Sequence, residues 1–188
     1  DGNASFNLNF QTTDGRSLNT EDLYFEPELS KNGENSVLSM RLKVSEDQFL
    51  EYRYELKPGE YMMDFSIRSQ GLSGVLNPNQ DVQLDWKLQA YRNAKSISYE
   101  NRYTEIVFEY DGGKDDYTGQ GDRAQEEENN ITYVAYKQHF FTSILLTDTP
   151  FANGKFVSEN LVQDEDVDTL YTKAFHTTVP LEIKGGEL

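Results

Sequence analysis

Hydrophobic and polar side chains alternate along most of the chain. Leu38, Met40, Leu42 and Val44 share one parity against Ser39, Arg41 and Lys43, and Leu50, Tyr52, Tyr54 and Leu56 alternate with Glu51, Arg53 and Glu55. Successive side chains of a strand point to opposite faces, so a period of two predicts amphipathic strands. The pattern recurs in Phe6, Leu8 and Phe10, in Tyr61, Met63, Phe65 and Ile67, in Val82, Leu84, Trp86 and Leu88, and in Ile106, Phe108 and Tyr110. Trp86 is expected as a core anchor. Short strands are also expected over residues 23–25, 155–162 and 170–183, and residues 90–102 have room for a short helical turn.

Turn chemistry punctuates these runs. Thr13-Asp14-Gly15 and the polar stretch around Gly33 each end a strand, and residues 70–80, with Gly71, Gly74 and Pro78, read as a loop. Lys57-Pro58-Gly59-Glu60 puts Pro and Gly at the two central positions of a type II turn, which predicts an antiparallel hairpin.

Residues 131–146 stand out because apolar side chains occupy both parities, as in a strand or strand pair buried on both faces. They are read as the central strand of the core, with Lys137-Gln138-His139 as its one polar interruption. Residues 111–130 are the opposite, with seven acidic residues, two basic ones, four glycines and the run Glu126-Glu127-Glu128. An acidic flexible loop is expected there. Roughly ten strands separated by turn signals predict an all-β sandwich or barrel of antiparallel sheets, with at most short helical turns. A chain of 188 residues fits one domain, since about 100–200 residues per domain is usual.

Charge removes several functions. With 33 acidic against 17 basic residues, the formal net charge is −16, which repels phosphate backbones and anionic head groups. Nucleic acid and direct lipid binding by this piece are therefore not expected. There is no cysteine, hence no disulfide framework, thiol nucleophile or cysteine zinc site. No run approaches the roughly 18–20 apolar residues that span a bilayer.

Candidate chemistry is thin. His139 and His176 are the two side chains whose unperturbed pKa lies near neutrality, but a lone histidine within a strand is more often a hydrogen-bonded structural residue. No Gly-x-Ser-x-Gly elbow occurs. Asp164, Asp166 and Asp168 begin like a calcium loop, yet Thr169 stands where the sharp turn wants Gly and Phe175 where a bidentate Glu closes the shell. A solvated acidic loop is the better reading. Asn3 and Asn130 fit a glycosylation pattern that is common by chance. Tyr52 and Tyr54, or Tyr133 and Phe141, form stripes that suit a core first and a groove for peptide or sugar second. Catalytic, cofactor-binding and metal residues are accordingly all expected to be none, and so are cofactors.

One stretch is recognisable. Tyr133-Val-Ala-Tyr-Lys-Gln-His-Phe-Phe141, followed by Thr142-Ser143, resembles a motif of the large periplasmic domain of the YidC membrane protein insertases, especially their Bacteroidetes branch. Upstream, residues 50–61, with Leu56-Lys-Pro-Gly-Glu-Tyr61, and the following Asp64-Phe-Ser-Ile67 resemble a hairpin of the same domain. The resemblance covers most of residues 37–183. It implies a β-supersandwich, similar to galactose mutarotase, on the periplasmic side of the bacterial inner membrane, over residues 1–188 and continuing beyond both ends. His139 stands where that family usually has Gln, which argues against catalysis by it. The implied role is a non-enzymatic docking module, monomeric, for other parts of the insertase, Sec translocon subunits and extended segments of substrate membrane proteins. Two other classes compete: a carbohydrate-binding or carbohydrate-active sandwich using His139 or His176, and a binder of extended peptides at a sheet edge.

Overall fold

In the computed structural model, which describes residues 2–184 and 188, the chain is all-β with two antiparallel sheets, no barrel and one helix of six residues. Twelve strands follow in order: β1 (Ala4–Gln11), β2 (Ser17–Asn19), β3 (Glu26–Asn32), β4 (Asn35–Ser45), β5 (Gln48–Leu56), β6 (Met63–Gln70), β7 (Val82–Tyr91), β8 (Glu105–Tyr110), β9 (Lys114–Tyr117), β10 (Arg123–Lys137), β11 (Thr142–Asn160) and β12 (Tyr171–Leu181). The helix, α1 (Ile97–Arg102), lies between β7 and β8 and is capped by the Ser96 side chain, which accepts from the Tyr99 N–H. This is the all-β sandwich class expected from the alternation. Contacts divide the chain into two compact units, Asp1–Leu8 with Gln83–Pro180, and Asn9–Val82 with Leu181–Leu188.

The second unit holds the four-stranded sheet β3-β4-β5-β6. Its β5–β6 hairpin closes at Lys57-Pro58-Gly59-Glu60 as expected: Gly59 has φ +76° and the Glu60 N–H donates to the Lys57 carbonyl at 3.2 Å. Cross-strand register puts Leu29, Leu38, Tyr54 and Phe65 in one line, and Pro27, Met40, Tyr52 and Ile67 in the next on the same face. Tyr52 is buried against Phe25 and Phe65, with ring centroids 5.1 and 5.9 Å away. Instead of a strand over residues 23–25, the chain makes a 3-10 turn at Thr20–Asp22, whose Thr20 hydroxyl lies 3.0 Å from the Tyr52 hydroxyl.

The opposite face of this sheet carries a feature that alternation does not reveal. Glu26, Arg41, Glu51 and Arg68 form one cross-strand line of alternating charge, and Glu51 in its centre is only 1 % exposed. Its carboxylate accepts from Ser39 at 2.5 Å, from Arg41 at 2.9 Å and from Arg68. Burial raises its pKa, but those three donors outweigh burial and bring it down to about 2. Glu55 accepts from Asn35, Arg53 and Asn32, which likewise lower it to about 2.

In the first unit the strand order runs β1-β7-β12-β11-β10-β8-β9. Its core is Ala90, Ile106, Phe108, Ile131, Val134, Tyr136, Phe156 and Phe175, with Trp86 and Leu88 packed on the rim. Each fully buried large side chain of this set contributes about 1.5–3 kcal/mol. Trp86 is half-buried instead of central: one face stacks on Tyr136, and the Phe6 ring lies 6.4 Å away at a steep angle to it.

Two expectations need correction here. Residues 131–146 form the strand pair of a hairpin, not one central strand: β10 ends at Lys137, residues 138–141 are the turn, and the Gln138 N–H donates to the Phe141 carbonyl at 2.8 Å. Residues 111–130, expected as an acidic flexible loop, carry β9 and the opening of β10. β10 residues 123–129 pair with β11 residues 153–159, so backbone ladder bonds hold a segment almost without apolar side chains.

A break in register then splits this hairpin. Ile131 faces Phe151 but Tyr133 faces Leu146, so β11 spends residues 147–150 opposite Thr132 alone. On one side of the break β11 pairs with β12, from Lys155 opposite Thr178 to Asn160 opposite Lys173. On the other, β11 residues 142–146 pair with β10 residues 133–137, and these with β8 residues 105–109.

Candidate interaction surfaces

The residues singled out for chemistry do not gather. His139 sits at the β10–β11 turn, while His176 lies in the middle of β12 opposite Val157. His176 Nε2 is 2.9 Å from Asp85 Oδ1, and the Thr178 hydroxyl donates to the same oxygen at 2.7 Å. Burial raises the Asp85 pKa, but hydrogen bonds from His176 and Thr178 outweigh it and hold the carboxyl low. The Thr178 hydroxyl also lies 3.2 Å from His176 Nε2, so Asp85, His176 and Thr178 form one closed hydrogen-bonded cluster.

The acidic loop around residues 164–168 turns its carboxylates onto its own backbone. Asp168 accepts from the Gln163 and Asp164 N–H groups at 2.8 and 2.9 Å, which lower its pKa, and Asp164 accepts from the Asp166 N–H. Among the described residues no cluster of three His, Asp or Glu side chains is placed to hold a metal ion. Asn3 donates to the Gln89 carbonyl, and Asn130, at φ +54°, donates to Asp111.

What the structure does offer is apolar surface. At the β10–β11 turn His139 packs among Tyr99, Tyr103 and Phe140, with centroids 5.2, 5.5 and 4.5 Å away, and Phe140 and Phe141 are both exposed. The tyrosines come from α1 and its C-terminal cap, so helix and hairpin together build an aromatic knob. Sequence periodicity missed it because two of its members sit in the ambiguous segment 90–102 and its neighbourhood.

From the knob an outer sheet face extends. Register aligns Tyr117, Val107, Ala135 and Ile144 across β9, β8, β10 and β11. A polar line flanks that row on each side. Lys137 pairs with Glu105 at 2.6 Å on one, and the Tyr133 hydroxyl donates to Asp115 at 2.9 Å on the other. Ile144 and Leu146 remain 63 % and 58 % exposed.

The second unit has its own apolar groove of about 280 Å³, lined by Leu29, Ser36, Leu38, Tyr54, Leu56 and Met63. Leu29, Leu56 and Met63 are exposed, and Tyr61 and Met62 extend the patch along the turn before β6. Tyr52 and Tyr54, which alternation left between core and groove, are thus divided: Tyr52 is buried and Tyr54 lines the groove. Both surfaces can bind by burial of apolar area; neither presents a poised acid, base or nucleophile.

Comparison with known proteins agrees with the motifs. The chain is 31 % identical over 191 residues to the membrane protein insertase YidC of Porphyromonas gingivalis, covering 99 % of this chain and 29 % of that protein. It is 30 % identical over 188 residues to that of Parabacteroides distasonis, covering 98 % and 29 %. Against that of Bacteroides fragilis it is 31 % identical over 150 residues, covering 79 % and 24 %. The chain therefore spans less than a third of the length of the curated relatives it matches. The YidC periplasmic domain family matches residues 2–187, the whole span that carries both units, and the chain belongs to that family.

Proposed function

We propose that this chain is the periplasmic portion of a YidC-type membrane protein insertase of the inner membrane, acting as a non-enzymatic docking module. Its partners on this reading are other parts of the insertase and Sec translocon subunits. The observation that carries the proposal is the match over residues 2–187 to a domain of insertases whose remaining length lies outside this chain. The surfaces fit the role: the aromatic knob and the groove around Tyr54 expose apolar side chains, and the polar clusters at Asp85 and Glu51 are internally satisfied.

The test uses the full-length protein in its own membrane, with a photoreactive amino acid placed at Phe141 or at Leu29. Specific cross-links to membrane-protein partners at one of these positions, absent at the exposed control position Glu165, are the expected outcome. Cross-links at neither position, or glycan binding abolished by His176→Ala, would replace docking with the carbohydrate reading.

A further inference from the structure

Unpaired sheet edges expose backbone N–H and C=O groups and are ordinarily protected by charge, proline or shortness. Several edges of this chain, among the described residues, follow that rule. β3 carries Pro27, Lys31 and two glutamates; β9 is Lys-Asp-Asp-Tyr; β2 has three residues. β6 carries Asp64 and Arg68, and its Ser69 is bonded to Leu188. β10 residues 123–131, beyond the end of their pairing with β8 at Tyr133, contain Glu126-Glu127-Glu128. Residues 142–146 of β11, Thr-Ser-Ile-Leu-Leu, differ from these edges in that they contain no charge and no proline.

The register break is what opens this edge. Pairing of β11 with β12 begins only at Lys155, and the bulge at residues 147–150 separates that part of the strand from residues 142–146. Among the described residues only β10 pairs with these five, and four of them, including Ile144 and Leu146, are exposed. Phe141 precedes them and is itself exposed, so three apolar side chains lie beside an open backbone ladder. Asp148 follows the strip in the bulge, and Glu109 and Asp115 lie in the register line of Leu146, two and three strands inward from the open edge.

We infer that residues 142–146 are a β-augmentation site for an extended segment of another polypeptide, about five residues long, apolar at alternate positions and flanked by Lys or Arg. Backbone hydrogen bonds to the free edge supply the sequence-tolerant part of the binding. Ile144 and Leu146 select apolar side chains on one face of the added strand. Asp148 beside the strip, within a chain of net charge −16, selects the basic flanks. The inference deepens the docking reading and rests on it only for its cellular meaning.

The test is titration of the isotope-labelled 188-residue chain with the synthetic peptide Lys-Lys-Val-Thr-Val-Thr-Val-Lys-Lys, followed by amide chemical shifts. Saturable changes centred on residues 141–146, with Kd between about 10 μM and 1 mM, are expected. Proline at the central valine, or glutamate in place of the lysines, weakens binding at least about tenfold. Ile144→Lys combined with Leu146→Lys weakens it similarly while leaving the melting temperature unchanged, since both side chains are exposed. No saturable response at millimolar peptide, a response mapping elsewhere, equal binding of the proline peptide, or a dimer of the chain through this edge that peptide does not displace would each overturn the inference. Peptide binding without cross-links in the membrane would instead count against the docking reading alone.

Discussion

Trp86 and Tyr136 lie face to face, with ring centroids 3.8 Å apart and planes 18° from parallel, and the Tyr136 hydroxyl donates to the Trp86 carbonyl at 2.6 Å. One residue thus clamps the other through both ring and backbone, tying β7 to β10. Trp86→Ala is expected to cost about 3 kcal/mol, the low end for a large aromatic because its ring is only half-buried. Tyr136→Phe, which keeps the stack and removes the hydroxyl, should cost about 1 kcal/mol. Denaturant unfolding of both variants measures the difference. Since Trp86→Ala keeps the backbone carbonyl that accepts from Tyr136, equal losses would show that the indole ring contributes no more than one hydrogen bond.

Acid should unfold the protein through Glu51 and Glu55. Both carboxyls sit near 2 in the folded chain against an ordinary 4.5, so the folded state holds fewer protons than the unfolded state between these values. Their contribution is fully present above about pH 4.5 and is lost as pH falls towards 2. Glu51→Ala is expected to cost about 1–3 kcal/mol at neutral pH, by removing the acceptor that Ser39, Arg41 and Arg68 share, and to flatten stability against pH over that window. An unchanged slope in the variant would remove Glu51 from the acid transition.

Gly154 is required by packing. A Cβ there would lie 2.7 Å from the Phe156 ring and 2.9 Å from Ile131 Cγ1, both fully buried in the core. Gly154→Ala is expected to destabilise by about 1–3 kcal/mol, read as a lowered melting temperature, whereas Gly119→Ala, with open space at its Cβ, leaves it within about 0.5 kcal/mol.

Lys173 is 2 % exposed, and its ammonium donates to the Thr104 carbonyl at 2.7 Å and to Gln120 at 3.0 Å. Burial lowers its pKa, with Glu105 opposing. Lys173→Met keeps the apolar stem and leaves the buried Thr104 carbonyl unpaired, an expected loss of about 1–3 kcal/mol. Faster hydrogen exchange around Thr104 and Gln120 should accompany the loss; unchanged exchange there would refute the tether.

Much of this architecture was legible because a strand repeats every two residues and its buried face must be apolar. The runs at Leu38, Leu50, Phe65, Leu84 and Phe108 all became strands, and Pro58-Gly59 closed its hairpin. Residues 131–146 fit a strand or a strand pair, and they read as one central strand because the turn, Gln138-His139-Phe140-Phe141, contains neither Gly nor Pro. Strand β9 and the start of β10 were missed because a backbone ladder needs no apolar side chains, and Glu126-Glu127-Glu128 carries none. The motif at residues 133–143 did give the family, although it could not say that its turn builds an aromatic knob with α1.

The sequence by itself determined the strand class, the absence of cysteine chemistry and the membership of an insertase domain family, since alternation, composition and local motifs are properties of neighbouring residues. Only the tertiary structure decided that Glu51 is buried between two arginines and that residues 142–146 end as an open edge. Both follow from cross-strand register, which brings together residues far apart in the chain and which a single bulge at residues 147–150 is enough to shift.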